Sequence, residues 1–302
     1  MQQINQLIQE YLKICQFQKR LDSKTLKAYH IDLQQFCEFL METQTEMTKE
    51  SLSSYIMEMN RHFKPRSVKR KLASIKAFCH YLEIEDILAE NPFRKLSVGS
   101  REPQQLPRTI PLRMIEAMLS ASYEKVRNSS GTQHMWALRD AAVIEMLFAT
   151  GMRVSELCKL NISDVDLSDG VIRIHGKGAK ERMLQIGNGD VLSILRQYSG
   201  SVIRTEQTPF FVNRRGFRIS EQSVRLILRH YEMALEGVQH ITPHMFRHSF
   251  ATLLLEEDVD IRYIQRMLGH SSIVTTQIYT HVATAKQKDI LVNKHPRNKL
   301  SV

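Results

Sequence analysis

Six side chains in the second half of the chain have types and spacings suited to chemistry at a phosphate ester. Arg153 lies two residues past Gly151, at the turn between an apolar helical run and the next helix, where rigid structure on both sides would hold its guanidinium. Thr242-Pro243-His244 is a helix start, with Thr as N-cap, Pro at the first helical position and His in the first turn. Arg247 follows His244 by three residues and shares its face; a helix N-terminus bearing an Arg and a His suits a phosphate. Lys177 sits between Gly176 and Gly178 in a loop, His270 follows Leu268-Gly269 at a helix end, and Tyr279 comes nine residues after His270. Singly, each has an ordinary structural explanation. Arg153 can pair with Glu156 on its own helix, Lys177 can be a turn lysine, an HxxR pair is common on surface helices, and a tyrosine is most often a core or rim residue.

As a set they have a chemical logic that none has alone, that of phosphoryl transfer without a metal. Two guanidinium groups grip the non-bridging oxygens of a phosphodiester and offset the charge that builds in the transition state. A tyrosine, with a pKa near 10, needs such an electropositive site in order to attack. Attack forms a phosphotyrosyl ester and expels a sugar hydroxyl, whose oxygen needs a proton donor, a role open to Lys177. The motifs of other phosphate and hydrolytic chemistries are missing: the sequence has no GxxxxGK[ST] loop, no HExxH and no clustered acidic pair for two-metal catalysis. No metal or cofactor is expected.

The elements that must position these groups follow from periodicity. Up to about residue 97 the pattern is helical. Ile4, Leu7, Ile8, Tyr11 and Leu12 mark one face, Leu26, Tyr29, Leu33, Phe36 and Leu40 a second, and Val68, Leu72, Ile75, Cys79 and Leu82 a third, with Asn91-Pro92 closing the last helix. Ser97 to Pro111, with Gly99, Pro103, Pro107 and Pro111 among polar residues, reads as a linker. The organisation expected is a helical domain over 1–98, a linker over 99–110 and a mixed domain over 111–302. In the mixed part, Leu138 to Ala149 is apolar almost all round and predicts a buried helix stopped by Thr150-Gly151, with Val154, Leu157 and Cys158 as the inner face of the next. VIRIH and RMLQI predict a β-hairpin whose loop carries Lys177 and Lys180, and helices are predicted from Thr242-Pro243 to about Leu255, from Ile261 to Leu268 and from about Val274 onward. The fold class is therefore mainly α with a small β-sheet in the second domain.

The charge balance points to a polyanionic partner. The chain carries 42 Lys plus Arg against 32 Asp plus Glu, a net charge of +10. Both parts are basic, with 16 cationic against 13 anionic residues before residue 107 and 26 against 19 after it. Arg61 to Lys76 is the densest stretch of the first part, with seven Lys or Arg and no acid. Arg66, Lys69, Arg70 and Lys76 fall on one side of that helix, opposite Val68, Leu72 and Ile75, and offer a phosphate-contact surface; the plain alternative is a solvated charged face. Lys27 in the first part, and Lys180 and Arg182 in the hairpin, join them as candidate DNA contacts. Cys15, Cys37, Cys79 and Cys158 are scattered without a CxxC pair, which predicts buried free thiols, and no run is long and apolar enough for a membrane span. The N-terminus lacks the apolar region of a signal peptide, so a cytoplasmic protein without membrane insertion is expected.

ATGMRVSEL (149–157), HGKGAKER (175–182), TPHMFRHSFAT (242–252) and LGHSSIVTTQIYTHV (268–282) resemble, in order and spacing, the signature boxes of tyrosine recombinases, the Xer-type group most of all. The resemblance extends over the whole chain, since TLKAYHIDLQQFCEFL and the basic helix followed by NPF are similar to that family's core-binding domain. It implies that Arg153 is the first catalytic arginine, Lys177 the hairpin general acid, His244 and Arg247 the HxxR pair, His270 the last active-site histidine and Tyr279 the nucleophile. Every position holds the family's usual residue. It further implies a two-domain C-shaped DNA clamp, without the extra arm-binding domain of many phage integrases. Four protomers would act on two inverted-repeat core sites through a Holliday junction, needing neither ATP nor metal. The tetramer could be of one chain or of this chain with a paralogue, and an activating accessory protein stays open. A C-terminal exchange segment at about 283–302 would dock on a neighbouring protomer, with Ile290, Leu291 and Val292 as its contact, or else fold back on its own domain. The biological role stays open between resolution of chromosome or plasmid dimers and resolution or integration of a mobile element. A type IB topoisomerase would relax supercoils without recombinant product, and a binding protein descended from a recombinase would not depend on Tyr279.

Overall fold

The computed structural model describes residues 2–96, 108–176, 181–202, 208–233 and 240–269. The chain divides into two compact units, Met1–Gln104 and Gln105–Val302. The described residues are mainly helical, with one three-stranded sheet.

The amino-terminal unit holds α1 (Gln2–Phe17), α2 (Ser23–Glu42), α3 (Lys49–His62) and α4 (Pro65–Ile84), followed by a 3-10 turn at Pro92–Lys95. Its core includes the three apolar faces that the spacing predicts, since Ile8, Tyr11, Leu33, Phe36, Leu40, Val68, Leu72, Ile75, Cys79 and Leu82 are all buried, and adds Leu52, Tyr55 and Met59 of α3, a face the sequence reading did not mark. Asp22 and Thr48 cap α2 and α3 by accepting from the amides of Thr25 and Ser51. The end of α4 corrects the sequence reading. The helix stops at Ile84, where Asp86 takes a left-handed φ of 55° and the Ile87 amide bonds back to the Leu82 carbonyl. Asn91 instead caps the 3-10 turn, accepting from the Phe93 amide.

The basic stretch has an anionic partner that its own sequence lacks. Asp32 of α2 is fully buried and accepts from Arg70, from Lys71 Nζ at 3.3 Å and from Ser74 Oγ at 3.1 Å. The Lys71 side chain, 4% exposed, also reaches Gln35 and lies over the Phe63 ring. Lys27, Arg66, Lys69 and Lys76 are exposed, as is the rest of Arg70 beyond its contact with Asp32. Removing one partner of a buried pair strands the other charge, at a cost of about 3–5 kcal/mol. Asp32→Ala is therefore expected to lose stability of that order in denaturant unfolding, and Arg70→Ala far less, because Arg70 is half exposed. Equal losses in the two variants would overturn the assignment of the buried charge to Lys71.

The carboxy-terminal unit is built around α6 (Gly131–Thr150), which packs against α5 (Leu112–Arg127), α8 (Gly189–Gly200) and α10 (Pro243–Glu256). Because neighbours surround it, Ala137 to Leu147 are buried without a break, including Arg139, Asp140 and Glu145. Arg139 pairs with Asp140, and Glu145 accepts from the Tyr123 hydroxyl, so these polar groups are satisfied inside the unit. The sheet runs β1 (Val165–Asp166), β2 (Val171–His175) and β3 (Glu181–Gln185), antiparallel in that order. Ile172 and Leu184, partners in the register, face the core together with Ile174. β3 runs one residue earlier than the predicted RMLQI, and β1, two residues long, is too short to show a period. All four cysteines are free and buried. No described helix is long and apolar enough to cross a membrane.

Candidate active site

The expected groups that lie among the described residues, Arg153, His244 and Arg247, are brought together where α6, α10 and α11 (Ile261–Leu268) end or begin. Gly151 ends α6 in the left-handed conformation, φ 58°, and a Cβ there would stand 2.5 Å from Phe250 Cδ1. Only glycine allows both the turn and the approach of α10. Two residues on, Arg153 is the N-cap of α7 (Val154–Lys159). Arg247 is 5% exposed and spans the gap, its Nη1 donating to Gly151 O at 2.9 Å and its Nη2 to Leu268 O at 2.6 Å. One guanidinium thus binds the ends of α6 and α11 to α10.

His244 occupies the first turn of α10, after Thr242 as N-cap and Pro243 at the first position; the Thr242 side chain makes no capping bond. Its surroundings hold its pKa below the usual imidazole value: the protein around the ring disfavours the charged form, and Arg247, Arg225 and Arg153 add positive charge. His248, one turn on, is pushed down to about 4 by burial and by His244 and Arg247. Both shifts favour the neutral form of the ring. Arg225, on α9 (Glu221–Glu232), and His248 belong to this environment, yet no local signal in the sequence points to either. The contribution of Arg225 comes from how α9 packs, and it also pairs with Glu221 at 3.1 Å.

Beneath Arg153 lies an anionic junction. Glu156, 8% exposed, accepts from Arg153 N at 2.8 Å, Arg153 Nη1 at 2.9 Å, Arg182 Nη1 at 3.0 Å and Arg182 Nη2 at 2.8 Å. The Arg153–Glu156 pairing that spacing allows is thus present, with Arg182 as a third member. Burial alone would raise the Glu156 carboxyl, but Arg182's hydrogen bonds, the Arg153 amide and the two guanidinium charges hold it at about 2. The hairpin closes at its neck in a similar way, His175 lying between Asp164 at 2.9 Å and Glu181 at 3.0 Å, contacts that raise its pKa. Lys177 and Lys180 in the loop beyond, and His270, Tyr279 and the segment around Ile290, Leu291 and Val292, lie outside the described residues.

The sign of the pH dependence follows. A carboxyl depressed in the fold contributes stability above its ordinary pKa of 4.5 and loses it as pH falls through that value towards 2. The difference corresponds to about 3 kcal/mol. Glu156→Gln is expected to cost at least that much at pH 7, with the gap to the parent protein narrowing as denaturation is repeated below pH ~4.5. A gap independent of pH would show that the Glu156 charge is not what stabilises the junction.

The arrangement offers fixed cations and neutral imidazoles around a point reached from three helix ends, which is the equipment for stabilising a phosphate in transfer. Comparison with known proteins agrees. Residues 114–286 match the Phage integrase family, and residues 8–86 match the family's N-terminal SAM-like domain. The chain belongs to the phage integrase family: it is a tyrosine recombinase, an enzyme of site-specific recombination, most similar to the Xer type. It is 55% identical over 295 residues to a tyrosine recombinase of Agathobacter rectalis, covering 96% of each chain. It is 34% identical over 302 residues to tyrosine recombinase XerD of Vibrio cholerae, again covering 96% of each. Among solved structures, its fold is similar to that of the XerH site-specific recombinase bound to a palindromic difH substrate in a post-cleavage complex. That likeness has a TM-score of 0.71 and 22% identity, covering 93% of this chain and 83% of the other.

Proposed function

We propose that the chain cleaves and rejoins double-stranded DNA at an inverted-repeat core site through a 3′-phosphotyrosyl ester, without metal or ATP. The observation that carries this reading is the convergence of Arg153, His244 and Arg247 at the end of α6, the start of α10 and the end of α11, with Lys177, His270 and Tyr279 supplied by the two further boxes of the sequence. Arg153 and Arg247 hold the non-bridging oxygens of the scissile phosphate, and His244 and His270 complete the site as hydrogen-bonding groups. The Tyr279 hydroxyl attacks phosphorus, forming the Tyr–O–P bond as the P–O5′ bond breaks, and Lys177 protonates the leaving oxygen. The ester conserves the energy of the cleaved bond, so a 5′-hydroxyl from the partner duplex can reverse the step. Four protomers on two sites exchange one strand pair, pass through a Holliday junction and exchange the second, linked through the segment at 283–302. The exposed cations Lys27, Arg66, Lys69, Arg70 and Lys76 contact the backbone, with Lys180 beside the hairpin lysine.

The test is covalent capture. The protein is incubated with sheared source DNA in EDTA and denatured in SDS, and whatever DNA remains attached is recovered and sequenced. Fragments sharing an inverted-repeat core, joined to a peptide containing Tyr279, are the expected result. An adduct that forms only with added divalent metal, or that maps to another residue, would overturn the mechanism.

A further inference from the structure

Arg182, which the sequence offers as a DNA contact beside Lys180, turns inward in the structure. Its side chain is 14% exposed, and its described bonds turn inward. Nη1 and Nη2 clasp both oxygens of Glu156, and Nε donates to Met267 O at 2.8 Å. The guanidinium also lies against Gly269, φ 65°, where a Cβ would stand 3.0 Å from Nη1 and 3.1 Å from Cδ. These contacts join segments far apart in sequence: strand β3, the α7 carboxylate that holds Arg153, and the last turn of α11. The end of that helix is in fact held by two arginines, Met267 O by Arg182 and Leu268 O by Arg247, immediately before His270. Carbonyls at a helix C-terminus lack intrahelical partners, so a cation there both satisfies them and complements the dipole.

We propose that Arg182 is a positioning residue for strand cleavage, locking Arg153 and the carboxy-terminal end of α11 into one rigid frame through Glu156 and Met267. The inference rests on the phosphotyrosyl reading above and assigns the frame that its active site requires. The planar fork matters: a lysine keeps the charge but offers one point donor in place of a fork plus Nε, so it cannot serve carboxylate and carbonyl in the same geometry. Displacements of about 1 Å in a site of this kind cost rates of roughly 10²-fold.

The experiment measures single-turnover adduct formation, DNA affinity and its salt dependence for the parent protein, Arg182→Lys, Arg182→Gln, and Gly269→Ala, which crowds the guanidinium without removing it. All are assayed below their measured melting points. Expected are affinities and salt slopes equal to the parent's, adduct rates down about 10²-fold in both Arg182 variants, and a loss in the same direction in Gly269→Ala. In the double variant Arg182→Gln/Glu156→Gln the rate should be no lower than in the worse single variant, because both act through one junction. A parent-like rate in Arg182→Lys overturns the proposal. So does a salt slope lower by about one, which would make Arg182 a phosphate contact. Absence of adduct from the parent protein itself would instead overturn the phosphotyrosyl reading, and the proposal with it.

Discussion

Tyr279→Phe is expected to leave DNA binding unchanged while covalent capture falls to background. The substitution removes one oxygen and keeps the ring, so under the proposed mechanism what is lost is the attacking hydroxyl. Several described tyrosines are poorly placed to attack DNA. Tyr11, Tyr123 and Tyr231 are held above the ordinary phenol range chiefly by burial, and Tyr55 is pushed up to about 12. Tyr11, Tyr55 and Tyr231 are buried, which keeps their hydroxyls from DNA. Tyr263, on α11, is 62% exposed and is the informative control. Tyr263→Phe should form adduct at the parent rate. Loss of adduct in Tyr263→Phe with retention in Tyr279→Phe would reverse the assignment.

Substitution of Arg247 should be nearly as severe and should separate two roles of one side chain. A guanidinium has five N–H donors, so it can be anchored on carbonyls and still serve an anion. In Arg247→Ala, Gly151 O and Leu268 O lose a charged partner, at about 1–3 kcal/mol for each carbonyl left buried and unsatisfied. The transition state loses a fixed donor, which costs cleavage about 10²–10³-fold in comparable sites. Arg247→Lys restores charge without the fork; it should recover part of the stability and little of the rate. Denaturant unfolding beside single-turnover cleavage resolves the two. A stable Arg247→Lys protein cleaving at the parent rate would show that Arg247 is only a strut.

The helical faces were legible because burial repeats with the period of the helix. Ile8 and Tyr11, Leu33, Phe36 and Leu40, and Val68 to Leu82 recur every three or four residues, and each set is buried. Gly151 was legible as a stop because glycine takes the left-handed conformation at a helix end without strain. The actual end of α4 was not, because Asp86 takes a positive φ without being glycine and nothing local announces it. Nor were the ionic partners legible. Arg70 and Lys71 meet an acid 38 and 39 residues away, and Arg182 meets Glu156 across 26 residues and Met267 across 85. The run without acids was read as one cationic face opposite an apolar one, and nothing local showed that its Lys71 is buried against Asp32.

Two kinds of information divide along that line. The sequence by itself determined the helical class, the hairpin, the reactive residue types and their order, because these depend on periods and motifs within a few residues. Tertiary structure decided which cations are spent on the protein's own carboxylates and carbonyls, and which neighbours lower the pKa of His244 and His248. Charge acts through space at distances of a few ångströms, and only the packed chain brings α6, α7, α9, α10, α11 and β3 within that reach.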